Sequence, residues 1–321
     1  MIHPNQRISL RNIERAATLI DPVFRDSPQF ECEPLNQLLG TSLLLKVETL
    51  NPLRSFKGRG ADFFLHENAV PLAGRGLVCA TAGNWGQAMA YVCRARGWPL
   101  VVYCATNANP MKVARMRDMG AEVRLHGHDV DAAKDEAQRY CDASGSVLVE
   151  DGREVSIAEG AGTIARELLA RNRFDAMVLP LGNGSLLNGA ASWIKAHAPG
   201  IRVIGVCAEG ADSMAVSWKE GRLVERSAVN TIADGIAVRR PVPEALSDMV
   251  GLVDDVLLVG DDAIQDAMRA IFQKAGLVVE PAGAVGVAAA MEHPSLRSGS
   301  LATVLCGSNL TQEQMRSWLF H

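Results

Sequence analysis

The 321-residue sequence predicts an α/β fold of two open, doubly wound domains with mostly parallel sheets. Three observations lead there. Short apolar runs alternate with longer amphipathic ones, the pattern of repeated βα units. The stretch 76–146 completes three such units by itself. Buried-type apolar runs recur on both sides of it, so it reads as a small α/β domain inserted in a larger one made of 1–75 and 147–321.

The elements follow in order. "SLLLKVETL" is an apolar run. "NPLRSFKGRGA" then sets Lys57 between Phe56 and the glycines 58 and 60, and "ADFFLHENAV" begins like a helix. "GLVCAT" reads as a strand and "NWGQAMAYVCRARG" as a helix ending at Gly97. "PLVVYCAT" is the next strand. "NPMKVARMRDMG" is a helix with Pro110 in its first turn and Gly120 after its end, the expected asymmetry. "AEVRLHG" is a strand, and "DVDAAKDEAQRYCDAS" a helix led by acidic residues. Beyond the insert, "FDAMVLPLG", "IRVIGVCAEG" and "LATVLCGSN" read as buried strands of a second sheet, to which "LLLKVETL" also belongs. "LLNGAASWIKAHAPG" and "DAIQDAMRAIFQKAG" are helices between them. The Asp pairs 254–255 and 261–262 fit loops and helix starts.

Composition narrows the function classes. The chain is 48% hydrophobic and 21% charged, with a formal net charge of -4. The mild acidity argues against a nucleic-acid partner, and no apolar run is long enough for a transmembrane helix. The start, "MIHPNQRISLRNIERAATLI", lacks the apolar run and cleavage site of a secretory leader. Seven cysteines without a C-x-x-C, several in apolar runs, suggest a reducing, cytoplasmic setting without structural disulfides. No metal site is expected, since ligand clusters are lacking and "HGHD" is the only His pair.

Three loops fall at strand ends, where open α/β sheets bind ligands. "TAGNWGQA" (Thr81 to Ala88) offers Thr81 and Asn84 as short polar groups, Gly83 for close approach, and helix-start N–H groups suited to a carboxylate. A plain capping turn competes with that reading. "LPLGNGSLLNGA" carries Gly182, Gly184 and Gly189 and fits neither the dinucleotide nor the P-loop spacing. It suits a small phosphate held by backbone N–H groups, or simply a tight turn. "LCGSN" places Cys306, Ser308 and Asn309 at the end of the last strand.

In this order the segments resemble the fold-type II pyridoxal-phosphate enzymes, most closely the serine/threonine dehydratase group, over nearly the whole chain. "SFKGRGA" resembles the group's Schiff-base motif, "TAGNWGQA" its S-[AS]-G-N-H segment, and "LGNGSLLNG" its tetraglycine loop. "GAGTIARE", "TIADGIAV", "VEPAGAVG" and "CGSN" follow in the matching order. The resemblance implies a cofactor held between the two domains, with Lys57 as its covalent anchor and base, Phe56 against the ring and Asn84 on the ring hydroxyl. Gly182, Asn183, Gly184, Ser185 and Leu186 would bind the phosphate. Gly235 would line the ring edge, Glu280 would lie near the site, and Cys306 would face the pyridine nitrogen. Thr81, Ala82, Gly83, Asn84 and Trp85 would grip the substrate carboxylate. Gly58 and Gly60 would leave room for the cofactor ring and close helix packing. The implied reaction turns an L-β-hydroxy-α-amino acid into a 2-oxo acid and ammonia. Lysine suits it because its amine both forms a reversible imine and acts as a base.

Departures qualify the substrate and the outcome. Ala82 stands where serine racemases carry a hydroxyl, so elimination is expected over racemisation. Cys306 replaces the usual serine; a free thiol has a pKa of about 8.5, and the neutral form is expected. Trp85 replaces a histidine, Asn183 and Ser185 interrupt the tetraglycine loop, and Leu53-Arg54 replaces a small pair. Arg54 would suit a second substrate carboxylate and Trp85 an aromatic ring, as in phenylserine, with surface and packing roles competing. Glu209 and Asp212 lie where racemase-like enzymes often carry a cation, in altered spacing. Only "LTQEQMRSWLFH" follows the last motif, so a short form without a regulatory domain is expected. β-Replacement, serine-racemase-like activity and a non-catalytic binder are the alternatives. The partner is a small amino acid, with no membrane or nucleic acid involved, and the reading allows a homodimer.

Overall fold

The computed structural model describes residues 6–320. Its strands are β1 (Gln29–Glu31), β2 (Leu43–Val47), β3 (Leu77–Ala80), β4 (Leu100–Cys104), β5 (Glu122–Leu125), β6 (Val147–Leu148), β7 (Ala176–Pro180), β8 (Arg202–Ala208), β9 (Asp255–Val259) and β10 (Leu301–Leu305). Six form one sheet in the order β1-β2-β10-β7-β8-β9, and four form another in the order β5-β4-β3-β6. Every pairing in them is parallel except β1 with β2. This is the α/β class the alternating pattern predicts.

The central strands β2, β7 and β10 are buried along their whole length, as strands covered by helices on both faces must be. Their side chains join one core with Ile164, Leu187 and Val285. The smaller sheet has its own core, which includes Leu77, Val102, Met89 and Trp85. Its edge strand β6 pairs with β3 through residues 147 and 148, just beyond the insert drawn as 76–146. Besides the two-residue β6, two strands escape the sequence pattern. β1 is a three-residue, largely exposed edge strand, and β9 is an only partly buried edge strand behind an Asp pair. Neither shows a clean period.

Three helices stack behind the site. Lys57–Asn68 packs on Val155–Arg171, which packs on Ser185–His197. Gly58 and Gly60 serve close packing, Gly60 against the helix Val155–Arg171 and Gly58 against the turn Pro22–Phe24. A Cβ on Gly58 would sit 2.5 Å from the Phe24 ring, and one on Gly60 would sit 2.7 Å from the Ile157 carbonyl. Neither borders the cleft described below, so the room for a cofactor ring expected of them is not there.

Beneath this stack lies a buried ionic network. Arg59 is fully buried and donates to Glu48 at 2.8 and 2.9 Å and to Glu167 at 2.6 Å, while Lys46 reaches Glu167 at 2.5 Å. Two cations and two carboxylates balance, which makes burial of all four tolerable. Burial alone would raise the Glu167 carboxyl, but Arg59 and Lys46 outweigh it and hold it down at about 2. Arg59 lies two residues beyond Lys57, so the network fixes the helix turn that presents the lysine.

Candidate active site

The neighbouring strands β2, β10 and β7 deliver three segments to one place. β2 leads through residues 48–56 to Lys57, the first residue of its helix. β10 runs into Cys306, and β7 runs into residues 181–184 before the helix Ser185–His197. The Lys57 segment is stitched to the end of β10. The Phe56 N–H donates to the Cys306 carbonyl at 3.0 Å, the Glu48 N–H donates to that of Leu305 at 3.1 Å, and Ser55 bridges to Gly307. The smaller sheet contributes the loop after β3 and the helix Asn84–Arg96.

One cleft results. Phe56, Lys57, Thr81, Ala82, Gly83, Asn84, Trp85, Gly182, Asn183, Gly184, Ser185, Leu186, Gly235, Glu280 and Cys306 all line it. Lys57 Nζ lies 4.5 Å from the centre of the Phe56 ring and forms an ion pair with Asp151. The helix Ser185–His197 starts at Gly184, in a left-handed conformation (φ 89°), with no side chain capping its first turn. Free N–H groups at a helix start form an anion site.

Several polar groups are already engaged. Thr81 Oγ1 accepts from the Gly83 N–H at 2.8 Å, so this hydroxyl braces its own loop. Asn84 donates to Glu280 at 2.5 Å and accepts from Asn309 at 2.9 Å, which ties the smaller sheet's helix to the larger sheet's loops. Asn309 is held by Leu53 and Glu280, and Ser308 does not line the cleft. Trp85 is buried and its indole N–H donates to the Val149 carbonyl at 3.4 Å. Arg54 is exposed and outside the cleft lining, so the second-carboxylate role suggested for it has no geometric support.

Burial drives the Cys306 thiol well above its ordinary range, Glu280 adds to this and Lys57 opposes it. The thiol is therefore neutral near pH 7. Burial also raises the Glu280 carboxyl, against the pull of Lys112. Lys112 itself is lowered by burial but raised further by Glu280 and Asp234, and it remains a cation.

Lys112, Asp151 and Asp234 also line the cleft, although sequence reasoning gave none of them a role. Lys112 reaches from the first turn of the helix Pro110–Asp118 to Asp234 at 2.7 Å and Glu280 at 3.8 Å. Its stem also presses on Gly83, whose φ is 150°; a Cβ there would lie 2.2 Å from Lys112 Cδ. In sequence this lysine looks like any basic residue in a helix, and Asp151 like a turn residue before Gly152. Asp234 had one signal, its place in the "TIADG" segment that carries part of the resemblance. Glu209 and Asp212 form no metal cluster, and none of three or more potential ligands exists among the described residues. Arg226 occupies Asp212 at 2.6 Å.

An amine on one wall, an uncapped helix start behind a glycine loop and a thiol held neutral by burial suit a phosphorylated aldehyde cofactor such as pyridoxal phosphate. Residues 20–307 match the family described as "Pyridoxal-phosphate dependent enzyme", and the chain belongs to that family. It is similar to the L-threonine ammonia-lyase of Thermotoga maritima, with 32% identity over 304 residues covering 94% of this chain and 76% of that one. The serine racemase of Oryza sativa is 30% identical over 297 residues, covering 91% and 86%. Among solved structures, maize serine racemase superposes with a TM-score of 0.90 at 27% identity, covering 97% of this chain and 96% of that one. A T.th. threonine deaminase superposes with a TM-score of 0.87 at 32% identity, covering 94% and 99%. Within its family the chain is thus a serine/threonine dehydratase-like enzyme of fold type II, a pyridoxal-phosphate-dependent enzyme of the ammonia-lyase type. None of its helices in the described residues is long and apolar enough to cross a membrane.

Proposed function

We propose that the enzyme dehydrates an L-β-hydroxy-α-amino acid of the serine/threonine type, releasing a 2-oxo acid and ammonia by α,β-elimination. The observation that carries this reading is the adjacency of β2, β10 and β7, which gathers Lys57, Cys306 and the Gly182–Leu186 loop around one cleft. Bound pyridoxal phosphate supplies the electron sink that acidifies the substrate's α-proton.

The chain's own residues do the rest. Lys57 anchors the cofactor, and its amine moves the α-proton at Nζ. Gly182, Asn183, Gly184, Ser185 and Leu186 hold the phosphate on the uncapped helix start. Phe56 packs on the ring, and Gly235 and Glu280 border its edge. Asn84 serves the ring hydroxyl with the amide hydrogen not committed to Glu280. Cys306, as a neutral thiol, leaves the ring nitrogen largely unprotonated. Backbone N–H groups of Ala82, Asn84 and Trp85 orient the substrate carboxylate, with the Thr81 hydroxyl fixing the loop's shape through the Gly83 N–H. Ala82 carries no group able to move a proton, so the reading excludes racemisation. A cytoplasmic setting and a homodimer belong to the same proposal.

The serine racemase relative favours one second reading, racemisation, and a single assay separates the two. Holoenzyme is given L-serine, L-threonine, threo-phenylserine and threo-hydroxyaspartate, and 2-oxo acid and D-isomer are scored. Release of 2-oxo acid without D-serine supports elimination; D-serine from L-serine sinks it. Lys57→Ala should abolish turnover and the cofactor's imine absorption.

A further inference from the structure

Five carboxylates line the cleft, and four of them have a cation other than Lys57. Glu150 has Lys134 at 2.8 Å. Asp131 has Arg239 at 3.3 Å and Arg240 at 3.2 Å. Asp234 and Glu280 share Lys112. The fifth, Asp151, pairs with Lys57 alone among the described residues, and Lys57 with it alone. Its Oδ2 accepts from the Lys57 ammonium, while its Oδ1 is buried and has no hydrogen-bond partner. The Asp151 side chain is 7% exposed and that of Lys57 15%, so water screens the pair little. The turn that carries Asp151 is fixed from two sides. The Val149 N–H donates to the Val78 carbonyl of the smaller sheet at 2.8 Å. Gly152, at φ 91°, presses so close to the loop after β7 that a Cβ on it would lie 2.1 Å from the Asn183 carbonyl.

The reading above requires two things of Lys57, and the inference rests on that reading. The substrate's α-amine displaces Lys57 from the cofactor, so Nζ is released into the cleft as a free amine. That amine then takes the α-proton. The Cα–H bond breaks, an N–H bond forms on Nζ, and the electron pair stays with the substrate and its electron sink. Lys57 thereby passes from neutral amine to ammonium in a place where an unpaired charge is costly. It also stands at the end of a flexible four-carbon stem that gains freedom on release. A carboxylate already seated beside Nζ meets both demands. It gives the released amine one fixed place, and it is in position before the positive charge forms. The other four acids of the cleft already carry cations of their own.

We propose that Asp151 is a positioning residue for the α-proton transfer: its carboxylate receives Lys57 when the substrate releases it, and neutralises the ammonium that forms as Nζ takes the proton. The Asp151 carboxylate itself exchanges no proton in this step. Its effect falls on the transfer and not on affinity for the amino acid, because its partner is Lys57 and not the substrate.

The probe is L-2-aminobutyrate, which has the length of threonine but no β-hydroxyl to eliminate. A crystal structure of wild-type holoenzyme with this amino acid bound should place Lys57 Nζ within hydrogen-bond distance of Asp151. In deuterium oxide, NMR follows exchange of the probe's α-proton, and the cofactor's absorption follows its binding. The comparison is made on the alkaline plateau of exchange, where Lys57 enters the step as free amine; at lower pH the loss of Asp151 would also change how much free amine is present. Asp151→Asn should slow exchange at least about tenfold, the scale of one charge-assisted hydrogen bond, while the dissociation constant stays within about threefold. Lys57 Nζ seated on the cofactor's phosphate or in the open cleft overturns the proposal. So does exchange that is unchanged in Asp151→Asn, or that falls only in step with binding. The wild-type complex decides even if the variant fails to fold. Failure of the dehydratase reading would instead show as no 2-oxo acid from any β-hydroxy amino acid, an outcome independent of the 2-aminobutyrate measurements.

Discussion

Lys112→Met removes the one cation shared by Asp234 and Glu280 while keeping most of the stem that supports Gly83. Two contacts are lost, and the shorter is not the stronger. Asp234 lies at 2.7 Å, but its side chain is 38% exposed and water screens the pair. Glu280 lies at 3.8 Å, yet both side chains are almost wholly buried. At an effective dielectric constant of about 20, two charges at that distance attract by about 4 kcal/mol. Removing one partner of a buried pair costs about 3–5 kcal/mol, and the partial rescue of Glu280 by Asn84 and the Asn309 N–H puts the expected loss at the low end, about 3 kcal/mol. Part of this is avoided if Glu280 takes up a proton. Its carboxyl is already raised by burial, and without Lys112 it rises further, so its ionised form is reached only at higher pH. The assays are urea unfolding of the holoenzyme and kcat/KM against pH. The variant should unfold at lower denaturant and its acidic limb should move to higher pH. Unchanged stability together with an unchanged acidic limb would refute the assignment of Lys112 as the counter-charge of Glu280.

Three further perturbations each rest on a single observation. Because burial holds the Cys306 thiol neutral, Cys306→Ser should leave the cofactor's absorption and the rate within about twofold from pH 6 to 9; a pH-dependent spectral change seen only in the wild type would show a thiolate. Glu167, held at about 2 against an ordinary 4.5, contributes stability that is full above pH 4.5 and is lost as pH falls through about 2, worth about 3 kcal/mol. Glu167→Gln should flatten that part of the acid-unfolding curve while lowering stability at pH 7, measured by circular dichroism. Gly83→Ala brings a Cβ within 2.2 Å of Lys112 Cδ in a backbone conformation that side chains rarely adopt, so KM for the amino acid should rise at least about tenfold with the cofactor still bound. A normal KM would mean that the loop yields and does not set the carboxylate grip.

The class of fold and most of the cleft were legible in the chain itself. Buried parallel strands need continuous apolar runs, as in "LLLKV", "AMVLP" and "LATVL", and these stand out from amphipathic helices by length and period. Loops that approach a ligand need glycine and short polar residues at strand ends, so the Thr81, Gly182 and Cys306 segments could be picked out in one dimension. Their order along the chain then pointed to the cofactor chemistry of Lys57.

Charge partners were not legible, because they lie far apart in sequence. Lys57 and Asp151 are separated by 94 positions, and Lys112 and Asp234 by 122. A lysine in a first helical turn, or an aspartate before a glycine, looks the same in sequence whether water or a buried carboxylate receives it. The sequence by itself therefore determined the α/β layering and the strand-end loops, since each depends on local pattern, and the order of those loops singled out Lys57 as the amine proposed to react. Only the tertiary structure decided that Gly58 and Gly60 serve packing, that Arg54 points to solvent, and that Asp151 pairs with Lys57. The reason is physical: backbone period is set by neighbours along the chain, whereas the cost of a buried charge is set by whatever the fold brings within a few ångströms of it.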